Sequence, residues 1–203
     1  MSEINYVGDY PDMPEFSTPW EVKAVQVGQG SSGRSFNGEA LESEGFSKCS
    51  ALIIKNSGTN ESALFHIDEL DLGDRQVGTF RTVVDNFIEM SNVETTKKEQ
   101  LKTAAGEVSR YLNPKNIRRD ELAEELKKIN QNKTLTAAYI VGNDGRDIQD
   151  RLEKSLLEYL GIPIVLKKVI DSGRMHWAIV YKPDVGKIYI DLRSKKKVAV
   201  LDF

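Results

Sequence analysis

This 203-residue sequence is poor in the side chains that most often do nucleophilic and acid–base chemistry near neutral pH, with a single cysteine and two histidines. One cysteine cannot form an internal disulfide, so a small secreted scaffold stapled by bridges is ruled out. A basic surplus is also missing. Lys and Arg number 28 against 31 Asp and Glu, for a net charge of −3, which argues against general nucleic-acid or membrane-surface binding. No apolar run approaches the roughly 20 residues that cross a bilayer, so no membrane insertion is expected. The opening MSEINYVGDYPDMPEF lacks a basic stretch followed by an apolar one. The expected location is therefore cytoplasmic, or a host cell reached without a classical signal peptide. Internal repeats are absent.

What is present suffices for a packed interior. Hydrophobic residues make up 39% of the chain, which suits one domain spanning 1–203. Residues 1–19 hold Pro11, Pro14 and Pro19 and read as an irregular arm. Glu21–Val27 reads as a strand and Gly28–Gly38 as a Gly/Ser loop. Cys49–Lys55 and Glu61–Ile67 are apolar runs flanking a turn, and Asp68–Asp74 is turn-like. Between 93 and 130 the character changes. Leu101, Ala104, Ala105, Val108, Tyr111 and Leu112 fall at helical spacing, and Asn113-Pro114 breaks the run. Leu122, Leu126 and Ile129 form a second stripe, so 93–130 reads as a helical insertion. Thr134–Val141 reads as a buried strand. Asp147 caps a helix over Ile148–Leu160 that ends at Gly161. Strands follow at Ile162–Ile170, Met175–Tyr181, Lys187–Leu192 and Val198–Leu201, joined by DSG and KPDVG turns; Lys195–Lys197 is a short basic run. The class is α/β: layered β-sheet flanked by helices.

The hairpin carries the chemical signal. With Ser57-Gly58 as a two-residue loop, Asn56 pairs with Thr59, and Cys49 faces His66 with Cβ atoms about 4.5–5.5 Å apart. Cys49, Ala51, Ile53, Leu64 and His66 then share one face, and Leu52, Ile54, Ala63 and Phe65 the other. Both faces are mostly apolar, so the hairpin belongs inside a layered fold. Free cysteine is often inert packing, but a thiol and an imidazole within reach are the general signature of a nucleophile and its base.

The run GFSKCSALII, with His66 seventeen residues after Cys49, resembles the motif of the CheD family of chemoreceptor glutamine deamidases. So do VGNDGRDIQDRLEKSLLEYLGIPIV and DSGRMHWAIVYKPDVGKIYI, which are similar to the family's C-terminal elements. The likeness covers about residues 21–67 and 134–193. It implies a CheD-like β-sheet sandwich flanked by helices, related to cytotoxic-necrotising-factor-type toxin catalytic domains. The family carries a threonine six residues before its cysteine; here that position is Ser43, which keeps the hydroxyl. Lys48 replaces a small serine and IDEL follows His66, departures that bear on the substrate.

The resemblance implies a protein-glutamine deamidase with Cys49 as nucleophile, His66 as base and Ser43 orienting the imidazole, and with backbone N–H groups of Gly45–Cys49 as oxyanion donors. The partner is a protein bearing the target glutamine, and the chemistry needs neither metal nor cofactor. Oligomeric state is not legible. Two alternatives compete. His176-Trp177 and Asp191 resemble the histidine–aspartate half of papain-like cysteine proteases, which would make a Cys49–His176–Asp191 triad. Alternatively, the domain is a non-catalytic binding module using the helices at 93–130. GQGSSG at Gly28–Gly33 matches a dinucleotide-binding fingerprint, but no helix follows it, so a loop bordering the site fits better.

Overall fold

A computed structural model describes residues 5–9, 24–47, 49–67, 76–110, 117–142, 158–170, 176–192 and 197–203. Chain order is β1 (Asn5–Asp9), β2 (Ala24–Gln26), β3 (Ser32–Ser35), β4 (Ala40–Phe46), β5 (Ser50–Asn56) and β6 (Glu61–Ile67), then α1 (Gln76–Met90), α2 (Thr95–Arg110) and α3 (Ile117–Ile129). It continues with β7 (Leu135–Gly142), a helical turn at Glu158–Leu160, β8 (Ile164–Ile170), β9 (Trp177–Lys182), β10 (Lys187–Leu192) and β11 (Lys197–Asp202). The strands form a six-stranded sheet, ordered β1-β11-β10-β9-β4-β2, and a five-stranded sheet, ordered β3-β6-β5-β7-β8. The result is a sheet-rich α/β protein. Among the described residues no helix is long and apolar enough to cross a membrane.

The alternation of side chains along β5, β6 and β7 sorts the interior into two clusters. Leu52, Ile54, Ala63, Phe65, Ala137, Tyr139 and Val141 join Val83, Val84, Phe87 and Ile88 of α1, Leu101 and Ala105 of α2, and Leu122 and Leu126 of α3. The opposite alternates, Ala51, Ile53, Leu64, Ala138 and Ile140, join Leu41, Phe46, Trp177, Ile179, Tyr181, Ile188 and Ile190 of the larger sheet. The faces expected for the hairpin are those observed. The helices of 93–130 bury residues in the same cluster as the smaller sheet rather than hanging from it. Helix α1 was not anticipated; it carries much of that cluster.

The hairpin register differs from the expected one by two residues. Asn56 pairs with Glu61, Ala51 with His66 and Ser50 with Ile67, so Cys49 lies two positions beyond the His66 pair, diagonal to His66 rather than opposite. The cause is the turn. Its loop has four residues, and the left-handed conformation falls on Asn60 (φ 59°) instead of Gly58. Ser57 N donates to Thr134 O (2.9 Å) and Gly58 N to Asn56 Oδ1 (2.8 Å), which hold the first half of the loop. Asn is the side chain that best tolerates the left-handed region after Gly. A shift of two preserves which residues share a face.

Two stretches expected to be irregular contain strands. Asn5–Asp9 pairs with β11, and Ser32–Ser35 pairs with β6. Gly33 makes the second possible, because a Cβ there would come 2.7 Å from Val27 Cγ2. Arg34 also reaches Glu61 across that ladder at 3.7 Å. Gly161 closes the helical turn at φ +64°, and Gly186 takes φ +61° in the KPDVG turn. The expected turn at Asp68–Asp74, the Asn113-Pro114 break, the Asp147 cap with helix residues 148–157, the DSG turn and Lys195–Lys196 lie outside the described residues, as does Lys48.

Candidate active site

His66 sits in β6, 1% exposed, with both of its backbone groups bonded to the segment before β3. His66 N donates to Ser31 O and Gly30 N donates to His66 O, each at 3.0 Å. The GQGSSG segment thus borders this histidine through its backbone.

A bulge in β4 brings two side chains onto the imidazole. Ser43 pairs with Ile179 and Phe46 with Trp177, so β4 spends one more residue than β9 over that interval. Gly45 takes φ +83° within it. In an unbroken strand, residues three apart point to opposite faces. The extra residue turns Ser43 and Phe46 to the same side, where both meet His66. Nothing lies within 4 Å of a Cβ built on Gly45, so its conformation, not crowding, selects glycine there.

Ser43 Oγ donates to Val27 O at 2.6 Å and lies 2.9 Å from His66 Nδ1. A carbonyl only accepts and a serine hydroxyl has one proton. That proton is committed to Val27, so Ser43 faces the ring with a lone pair and Nδ1–H donates to it. Neutral His66 is therefore the Nδ1–H tautomer, with the basic lone pair on Nε2. Phe46 stacks on the imidazole (3.7 Å between centroids, 12° between planes), and Trp177 stacks on Phe46 (4.3 Å, 18°).

Cys49, 3% exposed, shares the inter-sheet cluster with Phe46, Ala51 and Trp177. Its side chain lies on the face of the hairpin that carries His66. Diagonal neighbours across an antiparallel ladder have Cα atoms about 7–8 Å apart, within reach of an imidazole. Ser43, His66 and Cys49 thus gather at one end of the inter-sheet layer.

The second set is not brought to the thiol. His176 is exposed, with Nδ1 3.3 Å from Gly45 O, while its neighbour Trp177 enters the buried cluster. Asp191 is buried, but the residues flanking it, Ile190 and Leu192, are those that join the Cys49 cluster, so Asp191 projects from the other face of its strand. Among the described residues no three His, Cys, Asp or Glu side chains gather as a metal would require.

Phe46, Trp177 and Val27 were not anticipated as parts of the site. The glycine between Glu44 and Phe46, inside an otherwise strand-like run, was the available signal of a bulge. No protein-family model matches the chain, and no curated protein matches it either.

Proposed function

We propose that this protein is a glutamine deamidase that hydrolyses a glutamine side-chain amide of a target protein to glutamate and ammonia. The observation that carries the proposal is the Val27–Ser43–His66 hydrogen-bond chain, which leaves the basic nitrogen of His66 on the hairpin face shared with Cys49. The order of motifs shared with the CheD family supports it, as does a layered arrangement with helices on one face of the smaller sheet and the larger sheet on the other.

His66 Nε2 takes the thiol proton, and the thiolate attacks the amide carbon. A C–S bond forms and the carbonyl π pair moves to oxygen. As the tetrahedral species collapses, the C–N bond breaks and the imidazolium gives its proton to departing ammonia. His66 then draws a proton from water, which attacks the thioester carbon and releases glutamate and the thiol. Ser43 holds the tautomer but brings no counter-charge; Phe46 supplies the negative face of its ring in place of the carboxylate that other triads use. Burial keeps the ion pair dry and its electrostatics strong. The substrate enters at the strand ends, where the chain leads into Cys49. The target belongs to the cytoplasm of the producing cell or to a host cell.

The test is incubation with candidate lysates and mass-spectrometric mapping of glutamines converted to glutamate. Conversion is expected with the intact protein and absent with Cys49→Ser. Equal conversion by Cys49→Ser ends the proposal.

A further inference from the structure

We infer that the indole N–H of Trp177 is an oxyanion donor of this site; the inference rests on the deamidase reading. Trp177 is fully buried, and its Nε1 has no hydrogen-bond partner among the described residues. An indole nitrogen only donates, so it cannot be satisfied by accepting instead. A buried donor left unmet is a cost that calls for an explanation, and a ligand that arrives only during the reaction is one.

The place of that N–H is what gives it a role. Ser50 pairs with Val141 across the β5–β7 ladder, so the next residue outward on each side, Cys49 and Gly142, oppose one another. A Cβ on Gly142 would lie 3.4 Å from Trp177 Nε1 and 2.7 Å from Ser47 O. The indole nitrogen therefore occupies the space beside Gly142, across the ladder from the thiol and next to the segment leading into it. The stack on Phe46, itself stacked on His66, fixes the plane of the indole. A carbonyl carbon attacked by Cys49 would have its oxygen near this donor. As the C–S bond forms, the oxygen gains the π pair and becomes an anion that the N–H can meet without reorganising. The absence of a side chain on Gly142 is what lets the indole nitrogen and Ser47 O approach the backbone there.

The test separates acyl transfer from thiol reactivity. Alkylation of Cys49 by iodoacetamide is a displacement at a saturated carbon and forms no oxyanion; acylation by p-nitrophenyl acetate does form one. Trp177→Phe keeps a ring on Phe46 and removes only the N–H donor together with part of the indole. It is expected to slow Cys49-dependent acylation about 100-fold, a typical loss for one oxyanion donor, with alkylation per folded molecule unchanged and the melting temperature lowered by the cavity the smaller ring leaves. Where Trp177→Phe folds poorly, 3-benzothienylalanine at position 177, isosteric with tryptophan but without the donor, gives the same comparison. Acylation at the wild-type rate in either variant overturns the inference and leaves the deamidase reading standing. Equal losses of acylation and alkylation also overturn it, because they assign Trp177 to positioning the thiol. Wild-type acylation that persists in Cys49→Ser overturns both readings.

Discussion

The two faces of the smaller sheet come from alternate residues of the same strands and are used differently. Toward the helices, the interior is aliphatic and aromatic, and the buried amides there serve the backbone. Asn56 Nδ2 donates to Met90 O at 2.6 Å, and Asn130 Nδ2 donates to Leu135 O and Gly161 O at 3.0 and 3.1 Å. Toward the larger sheet, Ser43, His66 and Cys49 gather at one end, and the serine and the histidine bond to each other. A polar group buried only to join two chain segments is fully satisfied by them. A polar group buried for chemistry keeps an atom for a guest. On the second face the indole N–H of Trp177 is such an atom, without a hydrogen-bond partner among the described residues.

The comparison breaks if a lesion on the helix face damages the site as much as one beside it. Phe87→Ala empties a fully buried position in α1 and is expected to cost about 3–5 kcal/mol of stability. Urea unfolding should register that loss, while activity per folded molecule stays at the wild-type level. Ser43→Ala does the reverse. It frees His66 to change tautomer and is expected to lower the deamidation rate about 100-fold, with a stability loss of about 1–3 kcal/mol from the buried groups it leaves unmet. Nitrogen-15 shifts of the imidazole should show the proton leaving Nδ1; retention of the Nδ1–H form would refute the hydrogen-bond argument. Gly45→Ala sharpens the contrast further. A side chain at φ +83° costs about 1–2 kcal/mol, and relaxing the bulge should loosen Phe46 from His66. The imidazole protons would then lose the ring-current shift that the stack imposes.

Much of this was readable beforehand because alternation survives small errors. The hairpin's faces follow from Leu52 and Ile54 against Ala51 and Ile53, and a two-residue slip leaves them unchanged. The slip itself was not readable, since it depended on Thr134 O, remote in the chain, holding Ser57 N. Helix α1 was readable and missed: Val83, Val84, Phe87 and Ile88 recur at helical spacing. The strand at Ser32–Ser35 was hidden because Ser and Gly are poor strand formers, and only the fit of Gly33 against Val27 makes it pair. Within the site, the spacing of Cys49 and His66 was visible. The aromatic stack was not, because Phe46 and Trp177 meet only through pairing between sequence-distant strands.

That last pairing has a kinetic consequence. β4 joins β9 only after nearly all of the intervening chain has been made and brought back, and closing so long a loop is slow compared with forming the β5–β6 hairpin. During synthesis the thiol and the imidazole would already be neighbours while the hydroxyl, phenyl and indole that tune them were still unassembled. A ribosome-bound or truncated chain would therefore carry the reactive pair in an untuned form. Nascent-chain alkylation should reveal that interval as a window in which the sulfur is exposed before the late strands arrive.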